Sequence, residues 1–202
     1  MTDKTIRDFL SELKSESPTP GGGGVAALNS ANGVALVMMV ANLTVSVEKY
    51  ADWHQLCKDV LVEAEELLAE LTAGINRDAE EFGKVIAAYG LPHSTDEEKA
   101  ARTKAIGEAS ITAAEAPLQV MEGSVKGMEL VKKILGKSNP NVESDLYVAT
   151  LSLYSGLLSA QYNVNANLGG IKKVNPEYAE ELAAKSEELI DAGRVLSEEI
   201  LA

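Results

Sequence analysis

The side chain with most chemical promise is Asp78, in the segment RDAEEF from Arg77 to Phe82. It lies in a proline-free run from Trp53 to Tyr89, where Val60, Ala64, Leu67, Leu71, Ile75, Asp78, Phe82, Val85 and Tyr89 recur at steps of three and four and so share one helix stripe. Eight of the nine are apolar, and Glu80, Glu81 and Lys84 fall on the solvated side. A carboxylate at a core-facing position is costly, and desolvation raises its pKa toward values useful for general acid-base work. The other reading is an aspartate at the stripe's edge that bonds the end of a neighbouring helix.

A second stretch, SPTPGGGGVAALNSANGVALVMMVANLT from Ser17 to Thr44, delivers a helix start. Two prolines and four glycines lead into a run of small and aliphatic residues, with the helix expected from Val25 to about Val47. The first N–H groups of a helix lack internal partners and its positive end welcomes an anion or a carbonyl. Glycines at 21 to 24 permit positive φ and close approach of a ligand to the backbone; a tight turn feeding a buried helix uses the same residues. The spacing matches neither a phosphate loop ending in Gly-Lys-Ser/Thr nor a dinucleotide GxGxxG.

Helices must position these groups. Ile6, Phe9, Leu10 and Leu13 form a short amphipathic opening helix, expected beside the glycine segment. After Gly90-Leu91-Pro92, Thr95 and Glu98 make a capping box for a helix that carries Lys99 and Arg102 on one face. Pro117 interrupts or kinks that run, which resumes to Leu135 and stops at Gly136. From Val142 to Leu168, Asp145, Ala149, Ser152, Gly156, Ser159, Asn163 and Asn167 form a small and polar stripe between leucines, facing a neighbouring helix or a wet pocket. Asn175 and Pro176 start the last helix. The fold class is therefore all-α, a single-domain bundle of long antiparallel helices over residues 1–202, with a glycine-rich loop before the central helix.

Composition excludes several functions. A net charge of −13 disfavours nucleic acid and anionic membrane as partners. The apolar run after the glycines is long enough to span a bilayer, but Asn29, Ser30, Asn32, Gly33 and Asn42 interrupt it, and a helix buried in a bundle or at a dimer contact explains it better. His54 and His93 stand far apart and in no metal-ligand spacing with Cys57, so no metal site is expected. The single cysteine excludes an internal disulfide, and no signal peptide is seen, which points to a reducing cytoplasm. No strand is available to carry a serine nucleophile elbow.

Five blocks in order resemble the cyclodeaminase/cyclohydrolase family of folate enzymes, comprising the C-terminal domain of formiminotransferase-cyclodeaminase and the stand-alone methenyltetrahydrofolate cyclohydrolases. They are the Ser17 to Thr44 stretch, RDAEEF, LPHSTDEEKAAR from Leu91 to Arg102, Ser144-Asp145, and NVNANL from Asn163 to Leu168. The resemblance implies Asp78 as general acid/base and substrate binding by Pro20, Gly21, Gly22, Gly23, Lys99, Arg102, Asp145, Asn163 and Asn167. Lys99 and Arg102 would meet the anionic folate tail or hold a carboxylate of the site, and the amides would meet the donor and acceptor edge of the pterin. It also implies a homodimer, with a tetrahydrofolate derivative as substrate and no separate cofactor. The expected reaction is hydrolysis of 5,10-methenyltetrahydrofolate to 10-formyltetrahydrofolate, because one domain fills the chain and no formiminotransferase half is present. The alternative is cyclodeamination of 5-formimidoyltetrahydrofolate with release of ammonia. An inactive helical dimerisation or binding module is the alternative of another class; it would be expected to lose Asp78 or a ligand-facing asparagine first, and neither is lost. The chain departs from the family pattern at Gly24, where serine is common, at Asn76, where an acidic residue is frequent, and at His93, where lysine is frequent.

Overall fold

The periodic apolar stripes resolve, in a computed structural model describing residues 1–202, into six helices: α1 Ile6–Leu13, α2 Gly22–Val45, α3 His54–Tyr89, α4 Asp96–Ile134, α5 Glu143–Ile171 and α6 Pro176–Leu201. Local chemistry sets their ends. Thr95 and Glu98 form the reciprocal capping box at α4, and Asn175 accepts from the Tyr178 N–H with Pro176 at the first turn of α6. Gly136, with φ of 68°, follows the end of α4 in a conformation that favours glycine.

Helices α2, α3, α4 and α5 pack each on the next around one core, and α6 covers α4 and α5. Met121, Met128, Leu146, Leu153 and Leu157 are fully buried there, each stabilising the fold by about 1.5–3 kcal/mol. Small residues bring α2 and α5 close together. A Cβ on Gly33 would lie 2.9 Å from the Ala149 carbonyl oxygen, and one on Gly156 2.9 Å from that of Ala26. The Ser30 and Ser124 hydroxyls, 2.8 Å apart, tie α2 to α4. Although α2 has the length and hydropathy of a membrane span, Ala26, Ala27, Val34, Val37, Val40 and Ala41 are buried in the bundle.

Alternating direction puts the starts of α2, α4 and α6 and the ends of α3 and α5 at one end of the bundle. Gly23 meets Asp78, Gly22 meets Asn163, Gly170 meets Ser110 and Gly107 meets Val174 there.

Four expectations need correction. The glycines are not a loop: Gly21 is the N-cap and Gly22, Gly23 and Gly24 are already helical, none with positive φ. The loop is the preceding segment, which contains a cis Thr19–Pro20 bond. Pro117 does not interrupt α4, which runs through it; Ala116, Pro117, Val120 and Met121 are buried, and their packing holds the helix together despite the missing N–H. Glu81 is not on the solvated side, since its side chain is only 15% exposed and bonds Lys84. Phe82 and Tyr89, by contrast, are 38% and 50% exposed, because they border an open cavity between α3, α4 and α5. Finally, α1 lies over the groove between α2 and α3, where Phe9 and Leu10 line a cleft with Leu28, Ala31, Leu68 and Ile75.

Candidate active site

Asp78 reaches its position because its stripe on α3 faces the first turn of α2. Its Oδ2 accepts from the Gly24 N–H at 3.0 Å. Gly21 has no side chain with which to cap α2, so the carboxylate of a distant residue does that work, favoured by the positive helix end. This contact is the helix-end bond of the second reading of Asp78, and the other oxygen, Oδ1, has no partner in the protein. Burial pushes the Asp78 carboxyl above its ordinary value, and the Gly24 N–H opposes this by stabilising the anion.

Gly23 owes its identity to this contact. A Cβ on Gly23 would lie 2.8 Å from Asp78 Oδ2 and closer still to Cγ and Oδ1. At Gly22 the nearest atoms are those of the Asn163 amide, at 3.8 Å, an ordinary contact. At Gly24 the nearest are the Ile75 carbonyl oxygen at 3.6 Å and Pro20 Cβ at 4.0 Å, so a serine Cβ would fit there.

Asp78 opens on a cavity of about 240 Å³ lined by Phe82, Val85 and Tyr89 of α3, Ser110 and Ala113 of α4, and Asn163, Ala166, Asn167 and Gly170 of α5. Its chemistry is divided: Phe82, Val85 and Tyr89 offer apolar and aromatic surface, while the two amides and the Ser110 hydroxyl offer hydrogen bonds. Asn163 donates to the Ser159 carbonyl at 2.9 Å and Asn167 to that of Asn163 at 3.0 Å. Each amide thereby spends one N–H on its own helix, which fixes its orientation, and keeps a second N–H and its carbonyl oxygen. The cavity is smaller than the roughly 300–1,000 Å³ of sites for drug-sized ligands, so it suits a ring system whose remaining parts lie outside.

Other sequence candidates are placed differently. Asp145 lies 18 residues before Asn163 on α5, about 27 Å along the axis, so one subunit does not bring it to this cavity. Arg102 donates from Nε and Nη2 to the Tyr89 carbonyl at 3.1 and 2.8 Å, and its guanidinium lies 5.6 Å from the Tyr89 ring centroid. It thus caps the end of α3 and braces one wall of the cavity. Lys99 pairs with Asp96 at 2.9 Å on the exposed surface. Pro20 lies beside Gly24 and does not line the cavity. Sequence reasoning missed Ser110, because ASITAA around it has no charge or motif beyond small residues; its place opposite Gly170 is visible only after α4 and α5 pack.

Larger clefts of about 360 Å³ occur elsewhere. One, between α3 and α4, is lined by Glu70, Arg77, Glu122 and Lys126, with Arg77 already bonded to Gln119. No group of three His, Cys, Asp or Glu gathers as metal ligands.

Residues 5–188 match the model of the formiminotransferase-cyclodeaminase family. The chain is 44% identical over 98% of its length to a methenyltetrahydrofolate cyclohydrolase of Methylorubrum extorquens, of which it covers 94%. It is 31% identical over 83% of its length to the formimidoyltransferase-cyclodeaminase of Rattus norvegicus, of which it spans only 31%. The crystal structure of formiminotetrahydrofolate cyclodeaminase from Thermotoga maritima superposes with a TM-score of 0.75 at 26% identity, covering 99% of this chain and 98% of that one. A carboxylate seated on a glycine-only helix start, amides at the end of α5 and this match along nearly the whole chain agree: the protein belongs to the formiminotransferase-cyclodeaminase family.

Proposed function

We propose that the protein hydrolyses 5,10-methenyltetrahydrofolate to 10-formyltetrahydrofolate in the cavity at Asp78. The observation that carries this is the half-free carboxylate: Oδ2 fixed on Gly24 N–H, Oδ1 unpartnered, and a pKa raised by burial. The bridging carbon of the substrate is an amidinium cation, so water needs only a base. Asp78 takes a proton from water as its oxygen bonds to that carbon, giving a neutral tetrahedral adduct. The bond from carbon to N5 then breaks, N5 receives the proton held by Asp78, and the adduct hydroxyl loses its own proton to leave a formyl group on N10. One proton is released overall. Phe82 and Tyr89 flank the ring system, and the amides of Asn163 and Asn167 bond its polar edge. The 44% identity to a cyclohydrolase over nearly all of both chains supports this reaction.

Cyclodeamination is the second reading, favoured by the similarity to the rat and Thermotoga proteins. There N10 attacks the formimidoyl carbon, and the same carboxylate delivers a proton to the departing ammonia, a lyase reaction. Supplying each folate separately distinguishes them: loss of the methenyl chromophore marks hydrolysis, and its gain with ammonia marks deamination. No turnover of either folate overturns both.

A homodimer through α2 and α5 belongs to the same proposal. No charged residue lies between Glu16 and Glu48 or between Asp145 and Lys172, and Met39, Leu43, Tyr147, Val148 and Leu151 are exposed on these adjacent helices. A charge-free apolar surface of this kind suits a second copy of itself. Asp145, remote from the cavity of its own subunit, and Lys99, exposed outside it, would serve a folate only if the partner or the substrate tail reaches them. The cytoplasmic setting rests on Cys57, the single cysteine, which is buried and unpaired.

A further inference from the structure

Buried hydroxyls in this bundle are almost all satisfied by the protein. Ser30, Thr44, Ser124 and Thr150 each bond the carbonyl four residues earlier, Ser197 bonds the Arg194 carbonyl, and Ser186 reaches Met121 Sδ. Ser138 and Ser110 are the exceptions. Ser138 Oγ is sealed from solvent. Ser110 is different: its residue is 4% exposed, it makes no hydrogen bond within the protein, and it lines the cavity opened by Asp78. An unpaired hydroxyl is expensive when dry, and this one has only the cavity to turn to.

The facing helix is shaped around it. A Cβ on Gly170 would lie 2.9 Å from Ser110 Cβ and nearer still to Oγ. Gly170 has no positive φ to explain its identity, so its missing side chain leaves the hydroxyl the room it occupies. About two turns of α4 further on, Pro117 has no N–H for the Ala113 carbonyl, and Ala113 also lines the cavity.

We infer that Ser110 is a substrate-contacting residue whose hydroxyl bonds the polar edge of the bound heterocycle from the α4 side of the cavity. This rests on the cavity being the folate site. Ser110 is neither base nor nucleophile here: its contribution is binding and selection of a ring that presents a hydrogen-bonding edge. Gly170 acts through it, as a positioning residue.

The test uses Ser110→Ala and Gly170→Ala beside Asp78→Asn in the full chain, with methenyltetrahydrofolate hydrolysis, equilibrium binding of tetrahydrofolate followed by isothermal titration calorimetry, and thermal unfolding. Losing one neutral hydrogen bond weakens binding about 3- to 10-fold. Ser110→Ala is expected to raise KM and the tetrahydrofolate Kd by that factor, leave kcat within about twofold, and leave Tm unchanged, since no protein partner is lost. Gly170→Ala is expected to weaken binding at least as much. Unchanged KM and Kd in Ser110→Ala, with Asp78→Asn inactive, overturns the inference and leaves the cavity assignment standing. A lowered Tm with unaltered Kd overturns it in favour of a packing role. Full activity in Asp78→Asn instead overturns the assignment of the cavity on which the inference rests.

Discussion

Gly23→Ala is the sharpest probe of the site, because a single methyl group is directed at Asp78, the proposed general base, without touching its chemistry. Alanine at an ordinary helical glycine stabilises by up to about 1 kcal/mol. Here the new Cβ would overlap the Asp78 carboxylate, with Oδ2 at 2.8 Å the most distant of the three overlapped atoms, and α2 is too closely packed on α3 to withdraw. Asp78 must rotate away and give up the 3.0 Å bond from Gly24 N–H, a charged hydrogen bond of about 1.5–3 kcal/mol. Hydration of the freed carboxylate and the helix propensity of alanine offset part of that, leaving a net loss of about 0.5–2 kcal/mol. Removing a positioned general base costs about 100- to 10,000-fold in kcat. Decay of the methenyl chromophore and urea unfolding measure the two effects. Gly83→Ala, on an open part of α3 with no atom near its Cβ, serves as control and should gain stability with unchanged kcat. In an Asp78→Ala background, Gly23→Ala should no longer destabilise, giving a coupling of about 1 kcal/mol or more. Wild-type kcat in Gly23→Ala, or equal destabilisation with and without Asp78, would refute the reasoning.

Asp78→Asn should lose about 100- to 10,000-fold in kcat yet unfold at the same or a higher temperature at pH 7. Burial raises the folded pKa of Asp78, so the native state binds this proton more tightly, and the contribution to stability declines as pH rises from about 3.9 through the folded value. The advantage of asparagine should therefore vanish below about pH 4; Tm measured across pH for both proteins checks the sign, and an advantage largest in acid would contradict it. Arg102→Lys cannot reproduce the paired bonds to the Tyr89 carbonyl, and should raise KM several-fold by the same factor for mono- and polyglutamylated folate. A factor that grows with tail length would make Arg102 a tail contact instead. If the proposed dimer forms, Leu151→Glu, at a residue 56% exposed on α5, should convert it into monomer in sedimentation velocity; an unaltered dimer would move the interface elsewhere, and a monomeric wild type would overturn the dimer.

Several features of this protein are properties of short stretches of chain, and the sequence by itself determined them. Stripes at steps of three and four, the Thr95–Glu98 box, Asn175-Pro176 and Gly136 each act within a few residues, which is why the helices and nearly all their ends could be read directly. Asp78 was legible for the same reason, as a carboxylate breaking an apolar stripe, and the family's ordered blocks marked its neighbours Gly23, Asn163 and Asn167. What packing alone decided is which faces meet. The start of α2 begins three residues earlier than its composition suggests because the distant Asp78 supplies the cap that Gly21 lacks. Phe82 lies open because it borders the cavity between α3, α4 and α5, while Glu81, one residue earlier, is covered. Asp145 and Asn163 share a stripe, yet a helix as long as α5 carries them to opposite ends of the bundle. Ser110 acquires its setting only when α4 meets Gly170. Helical periodicity fixes the direction in which a side chain leaves its own axis; the lengths and registers of other helices fix whether it meets solvent, a core or a cavity.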